Sequence, residues 1–182
     1  SLKSSLIAIG ADAVVTADAQ ALRDADKIIL PGVGAFGDAA KKLNDSGLSE
    51  VLIAEAKAGK PLLGICLGMQ MMFEYSEENG HFEGLGLFPG TVTRFEDCGL
   101  KIPHMGWNAL TVKQGRLLEG LDGQYVYFVH SFFAEGCEDS LAAVTDYDIP
   151  ITAAVEKGNI FGCQFHPEKS GDTGLRILKA FG

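Results

Sequence analysis

Along the chain, short apolar runs alternate with longer segments in which apolar residues recur every three or four positions. Leu2, Leu6 and Ile9 form one such stripe, closed by Gly10, and predict a helix with a glycine just past its end. Ala13-Val14-Val15-Thr16 and Lys27-Ile28-Ile29-Leu30 read as strands. A helical pattern runs from about Phe36 through Ala58, broken near Asn44 to Gly47. Leu62-Leu63-Gly64-Ile65 is wholly apolar, as a central parallel strand covered on both faces must be, and a helix opens at Cys66-Leu67-Gly68-Met69-Gln70.

The second half is rich in strands. Gly86-Leu87-Phe88, Thr91-Val92-Thr93, Ala109-Leu110-Thr111-Val112, Tyr125 to Val129, Leu141 to Val144, Ile151 to Val155 and Ile160 to Phe165 all read so, separated by Gly, Asp and Pro turns. Leu175, Ile177, Leu178 and Phe181 close the chain with a helix. Alternating β and α segments followed by a strand-rich half predict a three-layer α/β/α architecture. Its central sheet is expected to be mostly parallel, with additional antiparallel strands. The 182 residues fit one domain, 1–182, with no linker or repeat.

Composition narrows the function classes. A net charge of −9 argues against a general nucleic-acid or anionic-membrane surface, which needs clustered Lys and Arg. No run approaches the roughly 20 apolar residues of a membrane span. The four cysteines, Cys66, Cys98, Cys137 and Cys163, form no CxxC pair or regular framework, which suits a reducing cytoplasm. His81 and His104 share no ligand spacing with each other or with Cys98, so no metal site is expected.

Two motifs carry chemistry. Gly64-Ile65-Cys66-Leu67-Gly68 sets a cysteine at a tight strand-to-helix turn, where a nucleophile stands in a strained bend and the following helix start offers free N–H groups. A buried structural cysteine is the plain alternative. In Phe165-His166-Pro167-Glu168, residues two apart in an extended segment project to one side, so Glu168 can reach the His166 ring and Pro167 stiffens the geometry. In isolation that is a surface turn; with Cys66 it completes a nucleophile, base and orienting carboxylate. Pro31-Gly32-Val33-Gly34-Ala35-Phe36 follows a strand, and its glycines allow inward N–H groups of the kind an oxyanion hole requires. It matches no phosphate-loop pattern. His130-Ser131 ends a strand and either lines the same cleft or caps it. Trp107 is either core or an exposed interface anchor.

The stretches Leu30 to Phe36, Gly64 to Gln70, Pro103-His104-Met105-Gly106-Trp107-Asn108 and Gln164 to Ser170 resemble the class I (triad) glutamine amidotransferases over nearly the whole chain. Within them the chain is similar to the glutaminase subunits that pass ammonia to a (β/α)8 barrel synthase in histidine biosynthesis. The resemblance implies Cys66 as nucleophile, His166 as general base then acid, and Glu168 as orienting carboxylate. It implies an oxyanion hole from the backbone around Gly32 and Val33 with the N–H of Leu67, and glutamine held by Gly34, Gln70, Glu78 and the Ser131 region. No cofactor is implied. Trp107, Tyr127 and Lys169 would face the barrel partner. Two departures stand out. The family opens on a strand carrying Asp-Tyr-Gly-x-Gly-Asn, whereas this chain opens on what looks like the following helix, so the sheet is expected to be short of its first strand. Ser131-Phe132-Phe133 carries Phe132 where the family pattern has Tyr. A free-standing cysteine hydrolase and a non-enzymatic partner-binding module are the rival readings. The first would turn over without a partner, and the second would lack a reactive Cys66.

Overall fold

Residues 1–95 and 99–182 are described by the structure, a computed structural model; Cys98 lies outside the described residues. Helices α1 (Leu2–Ala8) and α2 (Ala19–Asp24) precede strand β1 (Ile28–Leu30), and helices α3 (Phe36–Asp45) and α4 (Leu48–Lys57) lead to β2 (Leu62–Ile65). A single turn of helix, α5 (Leu67–Gln70), is followed by β3 (Phe73–Ser76), β4 (Phe82–Glu83), β5 (Phe88–Arg94), β6 (His104–Ala109), β7 (Thr111–Val112), β8 (Tyr125–His130) and β9 (Phe132–Glu135). The long hairpin β10 (Leu141–Tyr147) and β11 (Ile149–Lys157), then β12 (Ile160–Cys163) and helix α6 (Gly171–Phe181), complete the order.

The main sheet runs β1-β2-β12-β11-β10-β7. It is mixed: β1–β2 and β2–β12 are parallel, and the pairs from β12 outward to β7 are antiparallel. One face is covered by α1 and α6, where Leu2, Leu6, Ile177, Leu178 and Phe181 pack on Leu63, Ile65, Phe161 and Cys163. On the other face Leu22 of α2, with Leu52 and Ala56 of α4, packs near Leu62, Val155 and Ile160. The same layer continues into a second sheet, β4-β3-β5-β9, through Phe73, Phe88, Val92 and Ala134. The three-layer α/β arrangement follows from these two apolar faces, since a sheet buried on both sides needs cover on both.

Several expectations change in the fold. Ala13 to Thr16 forms no strand, and Val14 and Val15 are 75% and 81% exposed. β-Branched residues favour a strand only where a neighbour supplies hydrogen bonds, and β1 at this edge pairs only with β2 among the described residues. The helix after Cys66 is one turn long, because the chain is drawn into β3 beside β5. Gly86-Leu87-Phe88 and Thr91-Val92-Thr93 are not two strands; Phe88–Arg94 is one, started by Phe88. Strands β3, β4, β6 and β9 were not expected, their half-exposed faces giving short or broken alternation. No helix among the described residues is long and apolar enough to cross a membrane.

Candidate active site

Strand β2 is buried along its whole length and delivers Cys66 at its C-terminal end. The Cys66 N–H donates to the Cys163 carbonyl at 2.7 Å, continuing the β2–β12 pairing one residue past the strand. There the backbone takes φ 54° and ψ −115°, a left-handed conformation L-residues avoid at a cost on the order of 1–3 kcal/mol. Flanking glycines make the bend possible by close approach. A Cβ at Gly64 would stand 2.3 Å from the Met72 sulfur, and one at Gly68 would stand 1.8 Å from the Leu30 carbonyl oxygen. The Cys66 sulfur lies 3.9 Å from the Val129 carbonyl of β8 and 3.8 Å from the Gln164 side-chain nitrogen.

Because β12 runs parallel to β2, the residues just past it arrive at the same end of the sheet as Cys66. Cys66 is among the groups that act on the charge of the His166 ring. Its backbone N–H donates to the Tyr127 carbonyl at 3.0 Å. Ser170 Oγ donates to the His166 carbonyl at 2.6 Å and accepts from Tyr127 N–H at 3.0 Å. His166 Nδ1 and Glu168 Oε1 are 2.6 Å apart, with side chains 6% and 8% exposed. This contact is not made across an extended segment: Pro167–Lys169 is a 3₁₀ turn that brings the carboxylate back onto the ring. Burial alone would lower the His166 pKa, but bonds to Cys66 and Glu168 and their charges outweigh it and raise it to about 9. For Glu168, burial acts upward, and the bonds from His166 and its own backbone N–H hold it below the usual carboxylate range. The Glu168 carboxylate thus favours the protonated form of the His166 ring.

The glycine turn before α3 packs against the start of α5: a Cβ at Gly32 would lie 3.2 Å from Gly68 N and 3.3 Å from Leu67 Cβ. Gly32, Val33 and Leu67 are thus brought together, with Val33 82% exposed. Gly34 has φ +97° and open space around it. Glu78 Oε2 accepts from Phe36 N–H at 3.3 Å, holding the N-terminus of α3 just after this turn; burial raises the Glu78 pKa against that bond. Gln70 is buried, and its side-chain nitrogen is bound to the Phe132 carbonyl and to the Gln164 side-chain oxygen. Ser131 lies in the turn from β8 to β9, and its carbonyl accepts from Phe95 N–H. Trp107 and Tyr127 are register partners on β6 and β8, their rings 6.0 Å apart, with Trp107 53% exposed. Lys169 is exposed in the turn after His166.

The family described as "Glutamine amidotransferase class-I" matches residues 1–182. The chain belongs to this family. It is 51% identical, over all of its own length and 91% of the relative's, to "Imidazole glycerol phosphate synthase subunit HisH" of Caldanaerobacter subterraneus subsp. tengcongensis. It is 50% identical, over its whole length and 90% of the relative's, to the protein of the same name from Methanothermobacter thermautotrophicus. Among solved structures, one described as "Crystal structure of glutamine amidotransferase" superposes with TM-score 0.77 at 21% identity, covering 100% of this chain and 92% of that one. The glutaminase domain of Trypanosoma brucei CTPS with bound acivicin superposes with TM-score 0.64 at 17% identity, covering 98% and 84%. At those identities the likeness speaks for the fold of the family.

Some residues of this family member's site had no distinct signal in the sequence. Gln164 and Ser170 flank the His-Pro-Glu motif without a chemical signature of their own; Gln164 sits two residues before His166, the same spacing at which Glu168 follows it. His130 is buried and serves as a cap: Nδ1 bonds the Phe132 carbonyl at 2.8 Å and Nε2 meets His104 Nδ1 at 3.0 Å. Burial pushes its pKa down to about 3 despite the carbonyl bond, with His104 and His166 adding to the fall.

These two histidines predict opposite pH effects on stability. His166 is raised above the usual 6.5, so its contribution is complete below about pH 6.5 and is lost as pH rises through about 9. His130 is depressed, so its contribution is present above about pH 6.5 and is lost as pH falls below it. Urea midpoints measured from pH 4 to 10 are expected to be highest near pH 6.5–7 and to fall on both sides. A midpoint that stays level from pH 7 to 10 would contradict the His166 arrangement.

Proposed function

We propose that this chain is the glutaminase subunit of an imidazole glycerol phosphate synthase. It hydrolyses glutamine to glutamate and ammonia and passes the ammonia to a (β/α)8 barrel subunit acting in histidine biosynthesis. The observation that carries the reading is the strained Cys66 turn held against the His166–Glu168 pair, about a hundred residues further along the chain. Relatives near 50% identity over the full chain, bearing the name of that synthase subunit, supply the biosynthetic context.

In this reading His166 draws the proton from Cys66. The thiolate attacks the side-chain amide carbon, forming the C–S bond and moving the carbonyl π electrons onto oxygen. Backbone N–H groups around Gly32 and Val33, with that of Leu67, stabilise the oxyanion; one lost donor costs roughly 10²–10³ in rate. Collapse breaks the C–N bond while His166 gives its proton to departing ammonia, leaving a γ-glutamyl thioester. His166, now neutral, takes a proton from water, which attacks the thioester to release glutamate and restore the thiolate. Gly34, Gln70, Glu78 and the Ser131 region hold glutamine. Glu168 keeps the ring oriented and supports its charge.

The partner reading rests on an exposed apolar face beside this site. Met105, Trp107 and Tyr125 are 59%, 53% and 59% exposed on β6 and β8, with Tyr127 and Lys169 adjoining. Tyr127 is tied through its backbone to His166 and Ser170, so a partner seated there touches the triad's support. The chain acts in the cytoplasm, where its cysteines stay reduced.

The test is glutamate release by the purified chain, alone and mixed with the barrel subunit of the synthase, with and without that subunit's nucleotide ligand. Slow release alone and a gain of about 10² or more in the liganded complex are expected, the size of one oxyanion donor brought into place. Equal release with and without the partner would remove the gating, and no release in any mixture would remove the glutaminase function.

A further inference from the structure

We infer that Gln164 donates a hydrogen bond to the Cys66 sulfur and stabilises its thiolate, with Gln70 fixing the direction of that donor. The inference deepens the glutaminase reading and rests on it. Gln164 is fully buried at 0% exposure and Gln70 is at 5%. Two neutral amides in such a place must satisfy one another or the backbone. The hydrogen-bond partners leave only one assignment of their oxygens and nitrogens.

The Phe132 carbonyl can only accept, so the Gln70 side-chain atom 3.1 Å from it is the amide nitrogen. That nitrogen also lies 3.0 Å from the Gln164 side chain, so the atom facing it there is the Gln164 oxygen. The Gln164 NH₂ is then left pointing at the Cys66 sulfur, 3.8 Å away. Turning Gln164 over would set donor against donor at Gln70. Turning both over would set two carbonyl oxygens together at Phe132 and an oxygen against the sulfur. The chain of amides is therefore polarised in one sense, ending in a donor aimed at the nucleophile.

A thiol is a weak acceptor, whereas a thiolate is charged and gains more from the same N–H. A donor that bonds the charged form better than the neutral one favours ionisation. Gln164 touches the reacting sulfur, so its effect is expected on the thiolate and on kcat, with KM left near its value. It also explains why Phe132 need only offer its backbone here: its carbonyl, not its side chain, anchors the relay.

The experiment uses the full chain in complex with the barrel subunit and its nucleotide ligand. The pH profile of iodoacetamide alkylation at Cys66 is followed for the parent, Q164L and Q164E, together with glutaminase kcat and KM. Q164L removes the donor; Q164E keeps the oxygen that faces Gln70 and sets a carboxyl oxygen against the sulfur. Q164L is expected to raise the alkylation midpoint by about one pH unit and to lower kcat about tenfold below that midpoint, with KM within about twofold. Q164E is expected to shift it further, and as the isosteric change it decides the matter if Q164L fails to fold. Profiles of both variants that superimpose on a rapidly alkylating parent would overturn the role of Gln164. A parent that neither alkylates readily nor releases glutamate would bring down the glutaminase reading instead, and this inference with it.

Discussion

Cys66→Ala is expected to abolish glutamine-dependent product formation by the assembled synthase while leaving synthesis from added ammonium salts intact. The sulfur is the atom that would bond to the amide carbon, carried on the strained turn after β2. Loss of a nucleophile from a triad costs on the order of 10⁶ in kcat, because the remaining members have nothing to act on. In the proposed division of labour, the ammonia-using half of the reaction lies in the partner and needs only its substrate and ammonia. Removing the side chain beyond Cβ leaves the β2 pairing untouched, since Cys66 meets Cys163 through its backbone. Glutamine-dependent and ammonium-dependent rates measured on one preparation decide the matter. Loss of both would show that the two reactions are not divided between the subunits, and retention of both would remove Cys66 from the chemistry.

Gly68→Ala is expected to cost about 3 kcal/mol of stability or more, near or beyond the top of the usual range for overpacking. The added Cβ would meet the Leu30 carbonyl oxygen at 1.8 Å, the Leu30 carbonyl carbon at 2.7 Å and the Pro31 carbonyl carbon at 3.3 Å. These are backbone atoms of β1 and the turn after it, so no side chain can swing aside to make room. Relief requires α5 and the Pro31 to Gly34 turn to move apart, which also spoils the grouping of Gly32, Val33 and Leu67. Gly47→Ala is the comparison: φ is +76° there with open space around it, so it suffers the left-handed strain alone, about 1–2 kcal/mol. Urea unfolding of the two variants should rank them in that order. A Gly68→Ala protein as stable as Gly47→Ala would mean the turns are less tightly packed than the structure has them.

Legibility in the sequence followed the strength of local signals. Leu62-Leu63-Gly64-Ile65 was readable to the residue, because a strand buried on both faces has to be apolar throughout. The break between α3 and α4 was readable at Asn44 to Gly47, where Gly47 takes φ +76°. Ala13 to Thr16 shows the opposite case: its composition favours a strand, but among the described residues no strand pairs with it, and Val14 and Val15 remain exposed. The helix expected after Cys66 was cut to one turn by the demands of β3 and β5, which its local pattern does not announce. Glu168 was anticipated beside His166, yet by way of an extended segment that proves to be a 3₁₀ turn.

By itself the sequence determined the layered α/β class, the apolar strand that ends at Cys66 and the presence of a cysteine motif and a His-Pro-Glu motif. Each of these is written in neighbouring residues. Only the tertiary structure decided that the two motifs meet, because β12 pairs parallel to β2 and so brings residues a hundred positions apart to one end of the sheet. It alone decided that Gln70 and Gln164 form a polarised relay ending at the sulfur, and that His130 is a neutral cap. Hydrogen-bond direction and burial depend on which groups face one another, and strand pairing sets that at distances no local pattern spans.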